Sequence, residues 1–294
     1  MNRRNFIKRS AAVLAVSGFA GQKMLAATAA APNKGRIGIQ LYSVKDELPK
    51  DFLGTLKKLS EIGYSAVEPY GFNGDKFFGR TMKELSDIVK DMGMTVSGTH
   101  TGSGLLPEDM TDPKWDFWKK CSEQLKSGGA LYAVQAGFPD PHNTLDDLKR
   151  IAAHFNRVGE VCQKVGIKFA YHNHHAELGK IDNEVILDYL IKNTDAKFVA
   201  FQLDLGHTVN GGGDCMRYMR DFPTRIKLWH ASDFDATARK YTEVGKGSVP
   251  YKDLFALRNL SIDQLTVEQE TGGDIFAACK VDFDYLKQFK WTQV

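Results

Sequence analysis

Four short segments of the sequence concentrate the side chains that bind metals or move protons. They are YHNHHAE at 171–177, DLGH at 204–207, WHASD at 229–233 and VEQE at 267–270. Neutral imidazoles and carboxylates are common ligands of divalent metals in proteins. The same groups act as general acids and bases. If the fold brings these segments together, they form a divalent-metal site that can also handle protons.

Spacing within these segments indicates which side chains share a ligand. Alternation along an extended chain places His172 and His174 on one face, which leaves open which of the two faces an ion. In DLGH the imidazole follows the carboxylate by about one helical turn, so Asp204 and His207 can reach the same ligand. Glu268 is followed by a second acid two residues later, and we expect one of this pair to be a surface charge.

Each segment also has a purely structural interpretation. The histidine-rich stretch can be a solvated loop, Asp204 can cap the next helix, and His230 can be a hydrogen-bonded core histidine. Asp233, three residues after His230, is a candidate acid behind that imidazole. The metal interpretation is favoured because it explains the whole set at once.

Eight short β-branched runs alternate with longer amphipathic segments, and they predict the elements that carry these side chains. Helical periodicity covers 51–62, 82–92, 115–127, 145–165 and 184–193. The predicted strands cover 36–42, 65–69, 94–100, 131–135, 167–172, 199–204, 226–231 and 262–269. Eight β/α units in residues 32–294 predict a single domain with an α/β fold, the closed (β/α)8 TIM barrel, rather than an open doubly wound sheet.

In such a barrel the loops converge at the carboxyl ends of the strands, where active sites lie. Six of the eight histidines fall at or just beyond predicted strand ends: His100, His172, His174, His175, His207 and His230. Three carboxylates do the same, namely Glu68, Asp204 and Glu268. Because a charged group at the end of a buried strand needs a partner or a ligand, the sequence predicts the metal site at this end.

Residues 1–31 read as an export signal. They carry the basic start Arg3-Arg4-Asn5-Phe6, an apolar run over 11–20 and several small-residue cleavage points, with no acid. The basic start is similar to a twin-arginine signal, which predicts export to the periplasm. The apolar run is too short to span a bilayer, so we expect no stable membrane association after cleavage.

The charge of the remaining chain argues against nucleic acid as a partner. Removing the five cations of residues 1–31 from the net charge of +3 leaves −2 for residues 32–294. Such a body has no excess of cations with which to neutralise phosphates. Cys121, Cys162, Cys215 and Cys279 show no metal or redox spacing and receive no function.

The segment Gly245-Lys246-Gly247-Ser248 is a candidate phosphate loop, in which small residues expose N–H groups and Lys246 adds charge. Its alternative is a plain turn. Aromatic residues that can stack on a sugar or fill the core are Trp115, Trp118, Trp229, Phe72, Phe77 and Phe78.

Seven motifs spread over the chain carry a family resemblance. They are IQLYS at 39–43, GYSAVE at 63–68, YHNH at 171–174, DLGH at 204–207, WH at 229–230, VGKG at 244–247 and VEQE at 267–270. With these motifs the chain resembles the xylose-isomerase-like barrel superfamily, in particular its sugar phosphate isomerase/epimerase branch. The resemblance runs the length of residues 32–294.

The resemblance implies one divalent ion, Mn, Zn, Co or Mg, held by residues that follow the last four strands. Asp204, His230 and Glu268 match three of the family's ligand positions. His172 stands where the epimerases have a glutamate, so it is the fourth candidate by position only. The family's two opposed carboxylates are thereby reduced to Glu268 with an imidazole partner.

The resemblance implies a metal-dependent isomerase or epimerase that removes a proton next to the carbonyl of a small sugar or keto-sugar. Glu268, His174 and His207 are the expected proton carriers, and export favours an unphosphorylated substrate. The expected substrate-binding residues are Glu68, His100, Glu177 and Lys246.

The alternatives are a dehydratase or lyase of the inosose dehydratase or keto-glycoside type, and a non-catalytic sugar-binding protein. An abasic-site endonuclease shares the fold but is disfavoured by the charge. A homo-oligomer stays open.

Overall fold

The computed structural model describes residues 35–257 and 262–291. These residues lie within one compact unit, Pro32–Val294. The predicted export signal, residues 1–31, lies outside the described residues. Among the helices that are described, none has the length and apolar character needed to cross a membrane.

A parallel sheet of nine strands forms the centre of the fold. Its strands in chain order are β1 (Ile37–Gln40), β2 (Ala66–Glu68), β3 (Thr95–Val96), β4 (Gly98–Thr101), β5 (Tyr132–Ala136), β6 (Lys168–His172), β7 (Val199–Asp204), β8 (Ile226–Ala231) and β9 (Gln264–Val267). Neighbours pair in the order β3-β2-β1-β9-β8-β7-β6-β5-β4. This order places the last strand against the first, as a barrel requires.

The two ends of the sheet meet at Ser97. β3 pairs with β2 and β4 pairs with β5, so these two strands are parts of the single strand predicted over 94–100. The N–H of Ser97 donates to the Val67 carbonyl at 3.0 Å, and the Ser97 carbonyl accepts from the N–H of Leu131 at 3.1 Å. The predicted α/β TIM barrel is therefore confirmed, as a nearly closed sheet.

Helices follow most of the strands and cover the outside of the barrel. They are α1 (Phe52–Ile62), α2 (Met82–Asp91), α3 (Asp116–Ser127), α4 (Leu145–Lys164), α5 (Ile186–Asn193), α6 (Leu205–Asn210), α7 (Cys215–Asp221), α8 (Tyr251–Phe255) and α9 (Ile275–Leu286). The side chains of Asp51, Thr81 and Thr144 cap α1, α2 and α4, which satisfies N–H groups that have no partner within the helix. The five predicted helices are present, with ends shifted by two residues or fewer.

Two short antiparallel hairpins project from the loops that follow β6 and β8. The first pairs Lys180–Ile181 with Glu184–Val185, and the second pairs Asp233–Asp235 with Lys240–Thr242. Neither hairpin is predicted from the sequence. The second one carries a residue into the site described below.

The large aromatic residues serve mainly in the core between the sheet and the helices. Trp115, Trp118, Trp229 and Phe77 are fully buried there, so burial excludes them from contact with a sugar. Of the remaining candidates, Phe72 lines a cavity at the barrel mouth. The ring of Phe78 packs instead on two other rings, those of Phe52 and Tyr70.

Candidate metal centre

Six histidine and acidic side chains meet at the carboxyl ends of the barrel strands. Glu68 ends β2, His172 ends β6, and Asp204 ends β7, while the other three lie within or directly after β4, β8 and β9. All six side chains are buried: Glu68, His100, His172, Asp204, His230 and Glu268. Parallel strands deliver their ends to one edge, which is why residues far apart in sequence converge here.

Four of these side chains form a cluster with the geometry of a metal site. His172, Asp204, His230 and Glu268 each offer one ligand atom, and these atoms lie within 4.8 Å of one another. His230 Nδ1 is 2.8 Å from Glu268 Oε2 and 4.0 Å from Asp204 Oδ2, and His172 Nε2 is 3.9 Å from Glu268 Oε2. The structure thus brings the four predicted ligands together.

Two atoms of this cluster are buried without a hydrogen-bond partner. They are His172 Nε2 and Asp204 Oδ2. A buried polar atom without a partner costs free energy, and both atoms belong to ligand types that divalent metals accept. Two imidazoles and two carboxylates therefore fit a divalent ion, with His172 Nε2, Asp204 Oδ2, His230 Nδ1 and a Glu268 oxygen as its donors.

A layer of hydrogen bonds behind the cluster orients the imidazoles. Gln202 Oε1 lies 3.1 Å from His172 Nδ1 and 2.7 Å from His100 Nε2, and Gln202 Nε2 donates to the Glu68 carboxylate at 3.2 Å. Glu68 Oε2 is 3.0 Å from His230 Nε2. With a proton held on Nδ1, His172 directs the lone pair of Nε2 to the cluster. His230 Nδ1 donates to Glu268 Oε2, so its lone pair would become available only when a bound ion displaces that proton.

Asp204 both caps a helix and faces the cluster. Its Oδ1 accepts from the N–H of His207 and from Ser232 Oγ, each at 2.6 Å, which leaves Oδ2 for the cluster. Ser232 Oγ in turn accepts from the N–H of Gly206 at 2.9 Å. A Cβ at Gly206 would lie 2.4 Å from Ser232 Oγ, which explains the glycine between Asp204 and His207. The capping interpretation and the ligand interpretation of Asp204 hold together.

The ionisable groups of the cluster differ in their protonation states. Burial alone would lower the pKa of His230, but Glu68 and Glu268 raise it to about 10. Burial would raise the pKa of Glu268, but His230 lowers it to about 2. Burial and the neighbouring imidazoles hold the pKa of His172 well below its ordinary value. Metals bind charged carboxylates and neutral imidazoles, so Glu268 and His172 are already in their binding forms, whereas His230 would have to release a proton to an incoming ion.

His174 and His207 lie next to the four-residue cluster, on the side of His172. Their ring centroids are 4.8 Å apart, and His174 is 4.9 Å from His172 in the same measure. His207 Nδ1 contacts the Tyr241 hydroxyl and Nε2 lies 3.1 Å from Glu270 Oε1. Burial would lower the pKa of His207, but Asp204 and Glu270 raise it to about 9. Of the two imidazoles, His174 lines the cavity described below and is placed to exchange protons with a molecule bound there.

Glu177 supports the loop that carries His174. Its carboxylate accepts from the Tyr171 hydroxyl and, at 3.1 Å, from the N–H of His174. Glu177 is buried, and these contacts give it a positioning role rather than the predicted contact with substrate.

The structure gives Lys246 and Asp233 different partners from those expected. Lys246 is exposed, and its Nζ pairs with Glu243 Oε1 at 3.0 Å, so we do not place it in the binding site. The Asp233 carboxylate accepts from the N–H groups of Gly245 at 2.8 Å and Gly247 at 3.1 Å. These N–H groups are therefore not available to a phosphate, and Asp233 holds this loop instead of supporting His230.

A cavity of about 720 Å³ opens beside the cluster. His100, His174 and Glu268 lie in its wall, together with the aromatic residues Tyr42, Tyr70, Phe72 and Phe138. A cavity of this kind next to convergent polar groups is the usual place of a substrate site.

Several residues of the site escape prediction from the sequence. Gln202 lies two residues before Asp204, so strand alternation places it on the same inward face and could have revealed it. Tyr241 lies on the second hairpin, for which the sequence has no comparable signal. Asn173, whose Oδ1 accepts from the N–H of Asp204, is also not predicted. The same holds for Ser232, Tyr42, Tyr70 and Phe138.

Comparison with known proteins places the chain among barrel enzymes. An inosose dehydratase from Geobacillus kaustophilus is 24% identical over 224 residues, which cover 68% of this chain and 70% of that protein. Other inosose dehydratases match over 29% to 66% of their own length. A sugar phosphate isomerase/epimerase from Parabacteroides distasonis superposes with a TM-score of 0.76 at 28% identity, covering 89% of this chain and 97% of that one.

A more distant structure contains a metal. It is a xylose isomerase-like TIM barrel protein from Mycobacterium smegmatis in complex with magnesium, with a TM-score of 0.60 at 17% identity, covering 81% of this chain and 87% of that one. At this identity the likeness shows the fold alone. The model of the family described as xylose isomerase-like TIM barrel matches residues 56–271. Together with the barrel and the residues at its mouth, this match shows that the chain belongs to the xylose isomerase-like TIM barrel family.

Proposed function

We propose that the protein is a divalent-metal-dependent enzyme that isomerises or epimerises a small sugar or keto-sugar by removing a proton next to its carbonyl. The observation that carries the proposal is the buried cluster of His172, Asp204, His230 and Glu268, with two atoms that have no partner, beside an open cavity. The names of the Parabacteroides and Geobacillus proteins support a sugar or a related polyol derivative as the substrate.

The four cluster residues would hold the ion, and the surrounding side chains would move protons. When bound, the ion polarises the substrate carbonyl and the adjacent hydroxyl. Glu268 lines the cavity, and its carboxylate takes the proton from the carbon beside the carbonyl. The C–H electron pair then forms a C=C bond, and the carbonyl π pair moves onto the carbonyl oxygen to give an enediolate. His174 or His207 returns a proton to the neighbouring carbon or to the other face of the same carbon.

A dehydratase or lyase is the second candidate. His172 occupies the strand end where the resemblance leads us to expect a second carboxylate, so an imidazole stands there in place of the acid that would share proton transfer with Glu268. In this reaction Glu268 takes the same proton, the electron pair forms a C=C bond, and the C–O bond on the next carbon breaks. His207, held between Tyr241 and Glu270, gives a proton to the departing oxygen. The inosose dehydratase matches support this reading.

Metal analysis of the purified full chain tests the proposal. We expect about one divalent ion per chain in the wild type, and none in Asp204→Ala. Asp214→Ala is the matched control, because Asp214 also caps a helix but lies outside the cluster, and it should keep the ion. Failure to bind any divalent ion under any loading condition would favour the sugar-binding alternative.

Proton exchange on the substrate tests the chemistry. Incubation of the metal-loaded protein with a panel of keto-sugars in D2O should place deuterium next to the carbonyl, and Glu268→Gln should abolish the exchange. Products that retain every oxygen indicate isomerisation, whereas loss of water or an alcohol indicates the lyase. A Glu268→Gln variant with undiminished exchange would remove Glu268 from the mechanism.

A further inference from the structure

The cavity beside the cluster has aromatic walls that the proposed proton transfer does not require. It begins at His100, His174 and Glu268 and extends to the rings of Tyr42, Tyr70, Phe72 and Phe138. At about 720 Å³ it falls in the size range of cavities that enclose drug-sized ligands. This is more room than a single small sugar at the cluster needs.

Tyr42 presents its ring at the mouth of this cavity. It is 46% exposed, and in residues 35–257 and 262–291 only Leu53 is recorded beside it as a large exposed apolar side chain. Its ring meets that of Tyr70 edge to face, with centroids 5.1 Å apart. Tyrosine is enriched at binding surfaces because its ring offers an apolar face while its hydroxyl stays in water.

The charge of the cavity wall argues against a phosphate group. Among the described residues, those that line it include no lysine or arginine, and two of them are acids, Asp140 and Glu268. Lys45 is close to the mouth, but its Nζ lies over the Tyr42 ring at 4.4 Å from the centroid and is not among the lining residues. Phosphate groups are usually held by arginine, lysine or free N–H groups, and the wall offers no such cation.

We propose that the substrate is an unphosphorylated sugar that carries a second ring through a glycosidic oxygen. The sugar lies at Glu268 and His174, and the second ring lies against Tyr42, Tyr70 and Phe138. The placement of the sugar rests on the proposed function, whereas the contact of the second ring with the aromatic wall does not require catalysis.

Binding to paired ligands tests this inference. Dissociation constants of the full, Mn²⁺-loaded chain are measured calorimetrically for the 4-nitrophenyl glycoside, the methyl glycoside and the 6-phosphate of glucose, galactose and mannose, and for cellobiose and lactose. In at least one sugar series we expect the 4-nitrophenyl glycoside to bind about tenfold more tightly than the methyl glycoside. Tight binding of a disaccharide would identify the second ring as a sugar, and its absence as an aromatic group.

Two substitutions test whether the aromatic wall of the cavity causes the tighter binding of the nitrophenyl glycoside. Tyr42→Ala should reduce the nitrophenyl advantage about fivefold or more, and Leu53→Ala, at the other exposed apolar position, should leave it unchanged. The thermal unfolding midpoint of each variant serves as a check of folding. Equal binding of the two glycosides, tighter binding of a 6-phosphate, or no binding by any nitrophenyl glycoside would overturn the inference.

The binding experiment and the proton-exchange experiment together separate this inference from the proposed function. A nitrophenyl advantage that depends on Tyr42, in a protein that gives no proton exchange, would support the second-ring site and refute the enzyme. Proton exchange on a free keto-sugar, in a protein that binds the nitrophenyl glycoside no more tightly than the methyl glycoside, would support the enzyme and refute the second-ring site.

Discussion

The Gln202 side chain lies behind the candidate ligands and touches three ionisable groups at once. Its carbonyl oxygen faces His172 and His100, and its amide nitrogen faces Glu68. Since a carboxylate can only accept, the amide orientation is fixed, and with it the proton on His172 Nδ1. The nitrogen that has no partner, His172 Nε2, is thereby the one left to bind an ion.

Replacement of Gln202 by leucine should weaken metal binding by about 10- to 100-fold, the range typical of residues that orient metal ligands. Affinity is measured by competition with a chelator of known strength. Gln264→Leu is the matched control, because Gln264 is also a buried strand residue but bonds to the Ser97 carbonyl at 2.6 Å, away from the cluster. Equal affinities of the two variants would contradict an orienting role for Gln202.

The candidate ligands could be predicted one by one because each stands at a strand end, whereas their partners could not all be found. Strand alternation carries information about Gln202, which follows the same period as Asp204. No periodicity leads to Tyr241, since its contact with His207 depends on how the second hairpin folds over the barrel. Lys246 was assigned from its glycine neighbours, but the N–H groups of Gly245 and Gly247 already have an acceptor in Asp233.

Among the elements, α4 carries a histidine in an apolar environment. His154 is 1% exposed, packs near the rings of Trp115 and Phe155, and has no hydrogen-bond partner on either ring nitrogen. Burial, together with the nearby Arg157 cation, lowers its pKa to about 4. The folded protein therefore holds His154 neutral under conditions in which the unfolded chain, with a pKa of about 6.5, takes up a proton.

The buried His154 of α4 should make the free energy of unfolding of the protein sensitive to mild acid. The pKa of His154 is lower in the folded state, so its contribution to stability is complete above pH 6.5 and is lost as the pH falls towards 4. Between pH 6.5 and 5 the loss amounts to about 2 kcal/mol.

Urea unfolding at the two pH values checks this prediction. His154→Leu should lose correspondingly less stability than the wild type. His142→Leu, at a half-exposed histidine that pairs with Asp140, should retain the wild-type sensitivity. An unchanged acid sensitivity in His154→Leu would refute the prediction.

The long elements could be predicted from the sequence and the short ones could not. Strands and helices with a clear period match to within a few residues, from Val199–Asp204 to Leu145–Lys164. α9 was absent from the predicted set because its start, Ile275-Phe276-Ala277-Ala278-Cys279, is apolar on all sides and shows no stripe. α6, α7 and α8 have seven residues or fewer, which is too short for a period to show.

For the whole molecule, a bound ion would join four strands of the barrel. The candidate donors come from β6, β7 and β8 and from the residue that follows β9. Because these groups converge only in the folded state, an ion would bind the native protein in preference to the unfolded chain. Its binding free energy would therefore add to the stability of the barrel as a whole.

Metal should raise the thermal unfolding midpoint of the wild type. An ion at a concentration of a hundred times its dissociation constant adds about 2.7 kcal/mol, which corresponds to a rise of about 5–10 °C for a domain of this size. Scanning calorimetry with and without EDTA measures the shift. Asp204→Ala should show no shift and Asp214→Ala the full one, and a shift shared by Asp204→Ala would place the ion elsewhere.

The order of the strands in the chain has a consequence for biosynthesis. Closure of the sheet requires β9 to enter between β1 and β8, and Glu268 follows β9 directly. A growing polypeptide that has reached only β8 holds three of the four donors, and the edges of its sheet are still open. The complete site can therefore form only after the ribosome has made the last tenth of the chain, and an ion would bind it after translation.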